Sequence, residues 1–273
     1  MYRMKLILFA VVTVAAACSG IKPESGVGVT PSTPVGNNPM LNLIWYDDFN
    51  GEKIDEKKWS FAGRGNPDWK KYCTDSEEVT YVKDGCLYLK AIKNKTQDSD
   101  TAKYQTGCVF TYDNFSFRYG KVEVSVKMKG GKGAWPAIWM MPEASIYGGW
   151  PKSGEIDIME RLNNDGFVHQ TLHSEYTYSL GITNPTNTAT ASIDVDAFNT
   201  YAVEWTPTLL MFSVNGKKTF VYPKVDGKGY QQWPFDQNFH LILNQAVGGA
   251  WVGAVDDADL PVEMLVDWVK VYQ

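Results

Sequence analysis

The sequence predicts an all-β chain, a jelly-roll β-sandwich of two stacked antiparallel sheets with a concave substrate cleft. Three observations carry this expectation. Short runs of alternating polarity recur from residue 41 onward, two-residue turn signals punctuate them, and no segment sustains helical periodicity for three turns. GKVEVSVKMK (120–129) sends Val122, Val124, Val126 and Met128 to one face and Glu123, Ser125, Lys127 and Lys129 to the other, the pattern of a half-buried strand. KDGCLYLKA turns at Asp84-Gly85 before Leu87 and Leu89, and LLMFSVNGKKTFVY folds around Asn215-Gly216, a strong hairpin signal. TYAVEW, HLILNQAV and EMLVDWVKVY supply further strands. Many short strands at near-regular spacing imply stacked sheets. No internal repeat or second linker appears, so residues 41–273 read as one domain.

Ahead of that domain, MYRMKLILFAVVTVAAACSG opens with Arg3 and Lys5, runs apolar from Leu6 to Val14 and ends in small residues before Cys18. A stretch this short reads as a secretory signal and not as a membrane span. VAAAC resembles a bacterial lipobox, which implies lipidation of Cys18, residues 1–18 as the signal peptide and a membrane-anchored, cell-surface or otherwise extracytoplasmic protein. Residues 19–40, rich in Gly, Pro, Ser and Thr, read as a flexible tether.

Composition narrows the chemistry. The net charge of −5 argues against nucleic acid, whose polyanionic backbone needs clustered Lys and Arg. Ten Trp and fifteen Tyr exceed the needs of an ordinary core and suggest flat platforms for sugar rings. Cys73, Cys86 and Cys108 follow the signal, an odd number that cannot all pair internally. None stands in a CxxC or Cys/His cluster, and three scattered His are too few for a His-based metal centre.

SGEIDIMERLNND (153–165) carries Glu155, Asp157 and Glu160 in an apolar run. In a regular strand Glu155 and Asp157 share a face and Glu160 points the other way. With Met159 as the extra residue of a β-bulge the parity flips, and all three acids share one face. Glu155 and Glu160 are then about four steps of roughly 3.3 Å apart along the strand, about 13 Å. Side chains leaning together leave a gap of about 5–7 Å, nearer the spacing of retaining than of inverting glycosidases.

At this point the chain resembles glycoside hydrolase family 16, the laminarinase-like and mixed-linkage β-glucanase group. The resemblance rests on WYDDFNG (45–51), GKVEV, GAWPAIWMMP (133–142), GEIDIMERLNN, YAVEWTP (201–207), LILNQAVGGAW (241–251) and VDWVKVYQ (266–273). It implies Glu155 as nucleophile, Glu160 as acid/base and Asp157 between them, holding Glu155 in place and keeping Glu160 protonated. Trp135 and Trp139 match sugar-stacking positions, and His173 matches a His near the acid/base. Asn66, Trp150 and Trp251 are further candidates for the cleft. A calcium site common in the family is matched by Asp267, Gly85 and Asp48, and such an ion stabilises the fold without taking part in the chemistry.

The resemblance therefore implies a retaining endo-β-glucanase acting on mixed-linkage β-1,3/1,4-glucan or laminarin by double displacement, monomeric and needing no cofactor for chemistry. Relatives acting on xyloglucan or agar-type galactan, a transglycosylase and a non-catalytic glucan-binding lipoprotein are the alternatives. The absence of an evident Arg cluster in the cleft segments disfavours a sulfated galactan.

Overall fold

The alternating runs become strands in the computed structural model, which describes residues 41–96 and 100–273. The expected signal peptide, Cys18 and the expected tether lie outside the described residues. In chain order the strands are β1 (Leu43–Asp47), β2 (Ser60–Phe61), β3 (Thr80–Lys83), β4 (Cys86–Lys93), β5 (Tyr104–Thr106), β6 (Cys108–Phe110), β7 (Gly120–Lys129) and β8 (Ala134–Pro142). There follow β9 (Glu155–Glu160), β10 (Phe167–His173), β11 (Thr188–Ser192), β12 (Asn199–Trp205), β13 (Leu209–Val214), β14 (Lys217–Pro223), β15 (Phe239–Val247) and β16 (Val262–Tyr272). Helical structure among the described residues is confined to single turns at Asp68–Lys70, Glu175–Ser179 and Gly229–Gln232.

Two sheets result. One runs β14-β13-β12-β7-β16-β4-β3, with β1 added to β16 and β5 to β4, and the other runs β11-β10-β9-β8-β15-β6-β2. All the strand pairings are antiparallel, and strands distant in sequence lie side by side, as the jelly-roll expectation requires. Both turn signals hold. Asp84 and Gly85, like Asn215 and Gly216, all have φ between 50° and 73°, the left-handed conformation that a two-residue hairpin needs to match strand twist.

The core fills the space between the sheets. Val122, Val124, Val126 and Met128 of β7 meet Ile156, Ile158 and Met159 of β9 and Leu241 and Leu243 of β15 in one buried cluster. Because these residues take the inner face, their strand neighbours are left on the outside. On the seven-stranded sheet that outer face carries the acids. Cys73 and Cys108 are buried free thiols in a smaller cluster on that outer side, with Ala137, Trp139 and Ile242.

Candidate active site

The irregularity expected in β9 is present. Against β8, Glu160 pairs with Ala137 and Met159 with Ile138, but the next pair is Asp157 with Trp139, so Ile158 has no partner. Against β10, Glu160 lies opposite His169 and Asp157 opposite Thr171, three steps against two. The extra residue in the register with β8 is thus Ile158 and not Met159. Both side chains turn into the core, where two consecutive apolar residues can be buried only if the pleat is broken. Glu155, Asp157 and Glu160 consequently share the outer face.

Glu155 and Glu160 line a cleft of about 690 Å³, together with Asn66, Trp69, Trp135, Trp139, Trp150 and Asn244, and Asp157 is buried between them. Glu155 is the most accessible of the acids; Asp157 is 2% exposed and Glu160 9%. Each glutamate receives an indole N–H. Trp150 donates to Glu155 Oε2, and Trp135 donates to Glu160 Oε1 at 3.0 Å. Asp157 shares a hydrogen bond with Glu155, and His173 Nε2 lies 3.3 Å from Asp157 Oδ2.

Burial raises all three carboxyls. Glu155 is pushed up to about 8, by desolvation first and by the charge of Asp157 second, against the Trp150 hydrogen bond. Glu160 is pushed up to about 7 by desolvation, opposed by Trp135 and reinforced by Glu155. Asp157 is held well above the usual carboxylate range by its burial and by the charge of Glu160. Three such groups cannot all ionise together, so near neutral pH the site keeps protons that one member can give and another can do without. A nucleophile beside a proton donor is the pairing that acetal chemistry needs.

The structure refines the other sequence candidates. Trp135 is half-buried in the cleft wall and meets Trp251 edge-on at 5.6 Å. Trp251 is itself 49% exposed, outside the cleft lining but beside it, and also touches His169. Trp139 is 6% exposed, donates to Asn244 Oδ1 at 2.7 Å and meets Trp69 edge-on, which makes it part of the cleft floor and not a free platform. Trp150 and Asn66 line the cleft as expected. His173 is opposite Glu155 in the register, lies 3.3 Å from Asp157 Oδ2 and is close enough for its charge to bear on Glu160, as expected of it, while His169 takes the register position opposite Glu160.

Trp69, Asn244 and Tyr178 escaped the sequence reading. Tyr178 packs against Trp150 at 4.4 Å and His173 at 5.8 Å, closing an aromatic ring set beside Glu155. It sits on the Glu175–Ser179 turn, capped by Ser174 and Thr177, and a single turn leaves no periodic signal. The strap bearing Asn66 and Trp69 is tied across to the loop bearing Trp251, since Asp68 Oδ2 accepts from the Ala250 N–H at 2.8 Å.

Two donor sets bear on metals. Glu155, Asp157 and His173 offer atoms within 4.8 Å of one another, but the Trp150 N–H aimed at Glu155 favours hydrogen bonding over ligation there. For the calcium expectation, β1 and β4 both pair with β16, Asp47 with Val269 and Leu87 with Val266, so the register brings Asp48, Gly85 and Asp267 together beside the middle of β16. Asp267 lies at an irregularity in β16 and its carboxyl is raised by burial, with Ser125 Oγ at 3.5 Å. One carboxylate with backbone carbonyls is a donor set that suits calcium.

The comparisons agree with this geometry. The family described as "Glycosyl hydrolases family 16" matches residues 68–270. The chain is 44% identical over 237 residues to a keratan-sulfate endo-1,4-beta-galactosidase of Sphingobacterium multivorum, a match covering 85% of this chain and 55% of that protein. It superposes on the laminarinase of Rhodothermus marinus with a TM-score of 0.79 and 32% identity, covering 86% of this chain and 98% of that one. It also superposes on a mutant of SCLam, a non-specific endo-beta-1,3(4)-glucanase, with a TM-score of 0.77 and 31% identity over 88% of this chain and 98% of that one. That structure holds 1,3-beta-D-cellobiosyl-glucose at its active site. With three acids turned to one face by a broken pleat and a family match over most of its length, the chain belongs to glycosyl hydrolases family 16.

Proposed function

We propose that this chain cleaves its β-glycan with retention, by double displacement. The observation that supports this most directly is the bulge at Ile158, which sets Glu155 and Glu160 on one face of an aromatic-lined cleft. Glu155 attacks the anomeric carbon while Glu160 gives its proton to the departing oxygen, and Glu160 then takes a proton from the water that releases the sugar. The Trp150 N–H favours the ionised form of Glu155, whereas the neighbouring Asp157 favours its protonated form.

On the substrate, our reading puts a β-1,4-galactosidic glycan first, the reverse of the order the motifs suggest, and the 44% identity to a galactosidase supports it. The axial hydroxyl of galactose leaves C–H groups on one ring face, which suits an exposed Trp such as Trp150. Three crowded acids would repel a sulfate at the cleavage point, so the sugar there is neutral. Mixed-linkage or β-1,3-glucan is the second reading, supported by the likeness to the Rhodothermus marinus laminarinase and to SCLam. Calcium at Asp48, Gly85 and Asp267, and a lipid on Cys18, belong to the same proposal.

Incubation with keratan sulfate, laminarin, lichenan and barley β-glucan, followed by reducing-end assay and chromatography, tests it. New internal cleavage products from the keratan chain are expected. Products from the glucans alone favour the second reading, longer oligosaccharides reveal a transglycosylase, and binding without products contradicts hydrolysis.

A further inference from the structure

The bulge that turns Glu160 into the cleft breaks the ladder and releases the Ile158 carbonyl inside the sandwich. A buried carbonyl without a partner costs about 1–3 kcal/mol. Here it is satisfied by a side chain. Gln170, fully buried on the inner face of β10, donates from Nε2 to Ile158 O at 2.8 Å. The carbonyl can only accept, so the amide orientation is fixed and Gln170 Oε1 must face away. That oxygen accepts a hydrogen bond from Thr219 Oγ, which comes from β14 in the opposite sheet.

Thr219 is itself an irregularity. Phe212 pairs with Phe220 and Ser213 with Lys218, leaving Thr219 as the unpaired residue of β14. Two bulges, one in each sheet, are therefore bridged through the core by a single amide. Phe212 and Phe220 stack at 4.4 Å beside the outer bulge and keep its backbone in place.

We infer that Gln170 and Thr219 are positioning residues for catalysis: the relay fixes the kink at Ile158 and so the reach of Glu160 toward the scissile oxygen. This rests on the acid/base role of Glu160 proposed above. Neither residue lines the cleft. Their loss should alter the transition state and not the binding of the ground state. A misplacement of the order of 1 Å at a reacting group can cost about 10²-fold in rate.

The test is a steady-state comparison on whichever polysaccharide the parent cleaves. Thr219→Val removes the hydroxyl at nearly constant volume and is expected to lower kcat about tenfold with KM unchanged, while Thr219→Ser, which keeps the hydroxyl, restores it. Gln170→Leu is expected to lower kcat further. In both deficient variants the alkaline limb of the pH profile should move upward, because the Trp135 N–H that favours ionised Glu160 is no longer aligned. Unchanged kcat in folded Thr219→Val, or equal loss in the Val and Ser variants, overturns the inference, including when Gln170→Leu does not fold. Glu160→Gln measured alongside reports separately on the role of Glu160: if it retains activity, the acid/base reading fails whatever Thr219 does.

Discussion

Replacing Glu155 by Gln should stabilise the protein while abolishing turnover, and the size of the gain follows from the cost of ionising Glu155 in the cleft. In the unfolded chain this carboxyl has its ordinary value of 4.5, whereas in the fold it is raised to about 8. Between those values the unfolded chain releases a proton that the folded chain retains, so the stability contribution is full below 4.5 and is lost as pH rises toward 8. At pH 7 the interval above 4.5 is worth about 3 kcal/mol, at about 1.4 kcal/mol per pH unit, an upper figure because solvent reaches Glu155. Gln keeps an oxygen for the Trp150 N–H and an amide for Asp157 and carries no charge. For a domain of this size about 3 kcal/mol corresponds to roughly 6–12 °C in Tm. Scanning calorimetry of parent and variant at pH 7 and pH 4.5 provides the assay. The variant should melt higher at pH 7, and the gap should close at pH 4.5. Equal melting at both values, or a lower Tm for the variant at pH 7, would refute the claim that Glu155 is held under electrostatic strain.

Other consequences follow from the same geometry. The rate profile of kcat/KM against pH should be bell-shaped, falling below about 7 as a second proton neutralises the glutamate pair and above about 8 as the last proton leaves; because the groups titrate together, the limbs belong to the pair, and a flat profile from 6 to 9 would contradict the assignment. Asp68→Ala should free the strap bearing Asn66 and Trp69 from Ala250, raising KM severalfold with kcat nearly kept, as measured by initial rates on polymer. Gly216→Val should destabilise the β13–β14 hairpin by about 1–2 kcal/mol or more, visible in urea unfolding, because φ is +73° there and a branched side chain is strained in that region.

Much of this architecture is legible in the sequence, for a definable reason. The period-2 alternation in Val122–Met128 and the paired left-handed turns at Asp84-Gly85 and Asn215-Gly216 are local signals, and sheet burial converts them directly into faces and hairpins. The existence of the kink near Met159 was also readable, since Ile158-Met159 adds one apolar residue between acids. Its exact seat was not, because which of two adjacent residues loses its partner is decided by the register of β8 and β10. His169 and His173 have the same parity, so sequence could place both on the cleft side but could not say which faces which acid. Gln170 gave no warning: a polar residue on an inward position reads as an inconsistency until the carbonyl it satisfies is known. Trp69, Asn244 and Tyr178 reach the cleft from a strap, a distant strand and a single turn, and only tertiary structure joins them.

The most direct test of the account is the configuration of the first-formed product. Proton NMR recorded within the first minutes of cleavage should show the new reducing end as the β anomer, which drifts to the α/β mixture only by mutarotation. An α anomer appearing first would mean that water, and not Glu155, attacks the sugar.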